Sequence, residues 1–228
     1  NIYFKYLLTF IAIIPACLLL IMQPDIGQTL LIFLSWAILV FISGISLPVI
    51  LTFFSFTILS LIYMVFFIPK FTYIKNRILS FFNPNDGTHN FQSDKAIDAI
   101  SSGGYFGKGI GEGTLKNRVP EAHTDYIISV ISEEFGVVAI VLLLILFLFL
   151  IYTVFKKIYL EKNEKIKLVL TGTICLIIFQ TLIHIGVNIR LFPTTGMTLP
   201  YLSYGGSSIV GVSILSGIIL NLTKRKIY

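Results

Sequence analysis

Charge is the scarcest property of this sequence. Asp, Glu, Lys and Arg make up 12% of its 228 residues, about half of what a soluble domain carries, and the mean hydropathy is +0.90. That deficit excludes an ordinary soluble domain and implies an integral membrane protein. Cysteine is also scarce. Cys17 and Cys175 are the only two, both inside long apolar runs, so they build neither a disulfide framework nor a metal site. They read as small apolar core residues. Apolar–polar alternation over about ten positions, the mark of a barrel strand, is missing, so the spans are helices. Missing too are a G-x-S-x-G serine elbow, a Lys-Ser or Lys-Thr pair closing a phosphate loop, the paired ligands of a zinc hydrolase and any internal repeat. No charged leader precedes the first apolar run, which therefore reads as a span and not a signal peptide. A chain opening on Asn1 leads us to expect further natural sequence upstream.

Six apolar runs are long enough to cross a bilayer as helices, which takes about 20 residues. They cover about Ile2 to Met22, Ile26 to Ile45, Leu47 to Ile68, Val137 to Phe155, Leu168 to Ile189 and Leu202 to Leu222. The predicted fold class is all-α, a polytopic helical membrane protein forming one membrane domain over 1–228. Short cytoplasmic loops collect positive charge. Lys156, Lys157, Lys162, Lys165 and Lys167 mark 156–167 as a cytoplasmic loop, and Lys224, Arg225 and Lys226 mark 223–228 as a cytoplasmic tail. Alternation then sends 69–126, a large loop, and 191–206, a tight one, to the extracytoplasmic face. The net charge of +6 is thus a topology signal. A nucleic-acid partner would need a basic groove with aromatic platforms, and none is indicated.

Gln23, Pro24, Asp25 and Gly27 break the first two runs, with Asp25 open to two readings, a helix N-cap or the lining of a polar cavity. The large loop holds too many apolar anchors for disorder, among them Phe91, Ile97, Ile100, Tyr105 and Phe106. We expect short helices there, one around Ser93 to Ser101, lying across the outer mouth. Its glycine tract (Gly103, Gly104, Gly107, Gly109, Gly111, Gly113, with Lys108) is a pliable loop or a weak phosphate cradle. In the last span Ser207 with Gly211, and Ser213 with Gly217, put small residues four apart, which suits close helix packing.

The densest polar stretch is RVPEAHTDYIISVISEEFG, Arg118 to Gly136, which sets Glu121, His123, Asp125, Glu133 and Glu134 at the mouth of a span. Ionisable groups at a hydrocarbon boundary mark a functional site by default. A helix beginning at Tyr126 would put Asp125, Ser129 and Glu133 on one face. Asp125 is then an N-cap or, kept ionised by the helix dipole, a general base for a bound hydroxyl. A hard divalent cation, magnesium or manganese, bridging carboxylate and substrate phosphate fits these residue types better than zinc. His184 and Asn188 read as interhelical hydrogen-bonding groups, and Arg190 as a boundary residue that snorkels or meets an anionic headgroup. Phe192 to Gly196 and Leu199 to Ser208 form a tight loop shaped by prolines and glycines.

QPDIG (Gln23 to Gly27), PEAHTD (Pro120 to Asp125), EEFG (Glu133 to Gly136), PTTG and TLPYLSYGGSS (to Ser208) together resemble the SEDS family of bacterial cell-wall polymerases. They stand in the same order along nearly the whole chain. PEAHTD with SYGGSS is closer to the division members than to the elongation members. The resemblance implies a ten-span fold of which these would be the last six. It implies an inverting peptidoglycan glycosyltransferase that polymerises lipid II into glycan strands, with Asp125 as base and undecaprenyl pyrophosphate as leaving group. Glu121, His123, Thr124, Lys108, Lys116, Arg118, Arg77, Arg190, Thr194, Ser203 and Tyr204 are then expected around the substrate. Some relatives carry a lysine where this chain has Thr195, so another cation would take that place. Implied partners are lipid II and the nascent strand, membrane lipid, a class B penicillin-binding transpeptidase and other division proteins. The implied location is the cytoplasmic membrane. Two other readings are a lipid II transporter or flippase and a noncatalytic scaffold of the division machinery.

Overall fold

The computed structural model describes residues 2–82, 91–115 and 118–224, and among them the regular structure is entirely helical. The helices are α1 (Ile2–Met22), α2 (Ile26–Ile42), α3 (Leu47–Phe67), α4 (Thr72–Phe82), α5 (Phe91–Ser102), α6 (Ile127–Leu160), α7 (Glu164–Asn188) and α8 (Gly206–Thr223), with a 3-10 turn at Pro69–Phe71. α1, α2, α3, α6, α7 and α8 correspond to the six apolar runs. Four of them, α3, α6, α7 and α8, are long and apolar enough to cross a membrane, whereas Tyr6–Met22 and Ile26–Ile42 are shorter. The anticipated helix across the mouth is α5.

Boundaries shift where hydrogen bonding overrides apolarity. The last helix starts at Gly206 and not Leu202, because the Leu202 and Ser203 amides turn back onto the Leu199 carbonyl. α6 runs into the basic stretch as far as Leu160 and α7 begins at Glu164, so only three residues connect them and the expected loop over 156–167 is mostly helical. Lys156 and Lys157 thus lie in the last turns of α6, Lys162 in the connection and Lys165 and Lys167 in the first turn of α7, while Arg225 and Lys226 lie outside the described residues.

α7 is the central post. It packs most extensively against α2, and also against α6 and α8. Leu170, Ile174 and Ile177 are fully buried there beside Phe147 and Val154 of α6 and Ile219 of α8. By contrast α3 has no buried residue. Exposed apolar side chains cover α3, α6 and α8, a surface suited to hydrocarbon. The described neighbours leave Gly211 and Gly217 facing open space. A second core, Ala96, Ala99, Val119, Tyr126, Val130, Val187 and Met197, joins α5 and the start of α6 to the end of α7.

The glycine tract is more than a pliable loop. α6 breaks its helical path at Gly136 (φ 78°, ψ −178°), which frees backbone groups that must find partners. The tract supplies them. The Lys108 and Gly109 amides donate to the Glu133 and Glu134 carbonyls, and the Val137 and Val138 amides donate to the Gly104 and Tyr105 carbonyls. The carboxylates of the same motif hold the tract in return, Glu134 accepting from the Gly111 amide at 3.1 Å and Glu133 from the Leu115 amide at 2.9 Å. Glycine is required by proximity, since a Cβ on Gly107 would lie 2.2 Å from the Glu134 carbonyl oxygen and one on Gly136 2.3 Å from that of Tyr105. The Asp125–Ser129–Glu133 stripe is therefore not a substrate surface, because Ser129 and Glu133 are fully buried.

Gly136→Ala and Gly107→Ala each force a side chain onto a left-handed backbone against a carbonyl. Each is expected to destabilise by more than about 1–3 kcal/mol, read as a marked fall in the thermal midpoint in detergent.

Candidate functional site

Asp125 lies just ahead of α6, whose N-cap is Tyr126 with no side-chain cap. The N-cap reading is thereby corrected, and the Asp125 carboxylate is free of that duty. Residues 121 to 126 form a turn in which the Glu121 carbonyl accepts from the Thr124, Asp125 and Tyr126 amides. Distant residues fix it from outside. Asn188 donates Nδ2 to the Asp125 carbonyl at 3.0 Å, Ser203 donates its hydroxyl to the Thr124 carbonyl at 2.6 Å, and the Tyr204 amide donates to the His123 carbonyl at 2.9 Å. His184 and Asn188, expected to bond between helices, instead reach backbone carbonyls outside the helices, those of Met197 and Asp125.

The strap from Arg190 to Gly205 passes in front of Asp125. His184 Nδ1 meets the Met197 carbonyl at 2.7 Å, and Gln180 donates to the Thr198 carbonyl at 2.9 Å. Gln180 was not anticipated, although its spacing of four from His184, and His184's from Asn188, was a legible polar ladder in an apolar span. The strap packs so closely on α2 that a Cβ on Gly27 would lie 2.8 Å from the Met197 side chain. Left-handed backbones at Glu121 (φ 53°), Arg190 (φ 58°) and Tyr201 (φ 69°) mark the turns that build this region, and such strain gathers at functional sites.

Beneath the strap lies a cavity of about 790 Å³. Its body is apolar, lined by Leu30, Leu34, Ile78 and Leu182, and its head carries Asp25, Tyr73, Arg77, Thr194, Thr195 and Gly196. Asp25 fulfils both of its readings, since it lines the cavity and accepts from the Gln28 amide as N-cap of α2. Arg77, on α4, stacks on the Tyr73 ring at 4.4 Å, bonds its hydroxyl and donates to the Thr194 carbonyl at 3.2 Å. The position a Cβ on Gly196 would take is 3.7 Å from Asp125 Oδ2, so the carboxylate stands at the cavity's edge.

Burial raises the Asp125 pKa to about 6, helped by the charges of Glu121 and Asp25 and opposed by the Thr124 hydrogen bond and the Arg77 guanidinium. The expectation that the helix end simply keeps it ionised is corrected: desolvation dominates. The group remains predominantly ionised at neutral pH with a basicity matched to proton transfer.

The other anticipated residues divide. Glu121, Thr124 and Arg77 gather with Asp125, and Thr194 joins them through the Arg77 bond. His123 and Arg118 are exposed, and Lys116 lies outside the described residues. Lys108 pairs with buried Glu133 at 3.3 Å, about 12 Å of helix rise from Asp125. Arg190 pairs with Asp94 of α5. Ser203 is buried and holds backbone, while the Tyr204 ring is 77% exposed. Among the described residues no three His, Cys, Asp or Glu side chains gather as metal ligands.

Fold and site together define a multi-pass helical membrane protein with a carboxylate and an arginine heading an apolar cavity at one end of its bundle. The chain belongs to the FtsW/RodA/SpoVE cell cycle protein family, whose model matches residues 2–228. The probable peptidoglycan glycosyltransferase FtsW of Caulobacter vibrioides (strain NA1000 / CB15N) is 35% identical over 221 residues, 97% of this chain and 55% of that one. The protein of the same description from Buchnera aphidicola subsp. Baizongia pistaciae (strain Bp) is 37% identical over 211 residues, 90% and 55% of the two chains. A chain of a solved peptidoglycan synthase complex that coordinates polymerization and crosslinking matches with a TM-score of 0.74 at 27% identity, covering 96% of this chain and 61% of that one. The rod shape determining protein RodA of Thermus thermophilus, in a mutant form, matches with a TM-score of 0.60 at 26% identity, covering 96% and 56%. The chain spans about half the length of the curated relatives it matches.

Titration of the Asp125 carboxyl, followed by infrared or carbon NMR, is expected to centre near pH 6. Glu121→Gln removes a like charge and should lower the midpoint. Arg77→Met removes an opposite charge and should raise it.

Proposed function

We propose that this chain carries the catalytic carboxylate of a bacterial peptidoglycan glycosyltransferase of the division type. It polymerises lipid II on the extracytoplasmic face of the cytoplasmic membrane. The observation that carries the reading is the joining of a carboxylate near pKa 6 to a cavity with an apolar body and an arginine at its head. A lipid-linked pyrophosphate has that division of character. Its chain suits the apolar walls, and its anionic head suits Arg77.

In the reaction the acceptor sugar hydroxyl attacks the anomeric carbon of the donor and inverts it. Asp125 takes the hydroxyl proton as the new C–O bond forms. The bond to pyrophosphate breaks, and undecaprenyl pyrophosphate leaves with the electron pair. Arg77 offsets the charge that develops on the leaving group. It also supplies a cation at the Thr194–Thr195 strap, where some relatives have a lysine. Lys108 and Arg190, already paired with Glu133 and Asp94, are weaker candidates for that role.

The family resemblance, and the match to a chain of a synthase complex, support a class B penicillin-binding transpeptidase as partner, alongside other division proteins. The exposed apolar helices support insertion among membrane lipids.

Glycan synthesis from purified lipid II by the full-length protein with its transpeptidase tests the reading. Asp125→Asn is expected to lower the rate by about 10²–10⁴ with the complex still assembled. An Asp125→Asn protein that polymerises like wild type would sink it.

A further inference from the structure

Three consecutive carbonyls lead up to the α6 N-cap, those of His123, Thr124 and Asp125. Each accepts a hydrogen bond from a group far away in sequence: the Tyr204 amide, the Ser203 hydroxyl and the Asn188 side-chain amide. Ser203 has one proton to give. Its oxygen already accepts from the Leu199 amide at 2.7 Å, which directs that proton at Thr124. Asn188 places its other amide hydrogen on the His184 carbonyl at 2.9 Å, so its orientation is settled by two carbonyls at once. Asn188 is fully buried and Ser203 is 5% exposed, so neither side chain is open to a substrate.

We infer that Ser203 and Asn188 are positioning residues for Asp125, pinning the backbone on both sides of it so that its carboxylate faces Gly196 and the cavity. This rests on the proposed role of Asp125 as base, and it replaces the expectation that Ser203 binds substrate. Beyond its local turn on the Glu121 carbonyl the tripeptide has no strand or helix ladder, so these three donors tie it to the rest of the bundle. Two of the donors come from the strap that forms the cavity wall. The strap therefore fixes the carboxylate and the wall it faces together. A displacement of about 1 Å at a reacting group costs on the order of a hundredfold in rate.

The test uses the full-length protein with its transpeptidase and purified lipid II, comparing Ser203→Ala, Ser203→Thr and Asn188→Leu, each also on an Asp125→Asn background. Ser203→Ala and Asn188→Leu are expected to lower kcat by roughly ten- to a hundredfold with KM nearly unchanged, and Ser203→Thr to restore most of it. A released carboxylate gains water, so the acid limb of the rate profile should move from about 6 toward the ordinary 3.8. The other charges that act on Asp125 (Glu121, Arg77 and Asp25) are unaltered in these variants. On the Asp125→Asn background neither substitution should lower the residual rate further, because residues acting as a unit are not additive. A raised KM with the acid limb unmoved would make Ser203 a substrate contact and overturn the inference. So would equal losses on both backgrounds, or a lowered thermal midpoint with normal kcat. If Asp125→Asn is itself fully active, the base reading fails; if it is inactive while Ser203→Ala and Asn188→Leu match wild type, only the positioning inference fails.

Discussion

A backbone segment that belongs to no helix must still satisfy its polar groups, and in this protein that requirement falls on Glu121 to Tyr126. The answer comes from one face of α7 and the strap that follows it. Gln180, His184 and Asn188, four residues apart, present polar groups from the largely apolar second half of α7. They hold Thr198, Met197 and Asp125 by backbone carbonyls. Buried hydrogen bonds of this kind contribute modestly when made, yet are expensive to leave unmade. The ladder therefore fixes where the loops can sit, and with them the carboxylate.

The strap has two sides. One binds the Asp125 turn and the other roofs the 790 Å³ cavity, with Gly196 between them. Gly27 lets α2 approach the strap and Arg77 reaches it from α4. Four separate pieces of sequence thus meet at the strap. The same packing that buries the carboxylate also raises its pKa, so position and basicity share one cause.

The EEFG motif and the glycine tract serve a different end. Their carboxylates and glycines clasp a break in α6, keeping the part that leads from Asp125 separate from the long lipid-facing part. Acids that look like site residues in sequence are here structural. Glu133 is the instructive case, because its spacing from Asp125 suggested a shared surface, whereas its carboxylate is buried, accepting from the Leu115 amide and pairing with Lys108.

Apolar run lengths, the two proline- and glycine-shaped breaks and the order of the short motifs were enough to determine a helical membrane protein and its family resemblance, and to single out Asp125 as the candidate base. Hydrophobicity is a local property and survives reading one residue at a time. The helix across the mouth was legible for the same reason, as was the hydrogen-bonding role of His184 and Asn188, since lone polar groups in an apolar span need partners. Only the tertiary structure decided which cations stand at the cavity, Arg77 rather than Lys108 or Arg190. Only it decided that Ser203 holds backbone, that the glycine tract is a clasp, and that burial raises the Asp125 pKa. Those outcomes depend on contacts between residues 18 to 117 positions apart, such as Glu133 with Leu115, Asn188 with Asp125 and Arg77 with Thr194, whose distances no local pattern encodes.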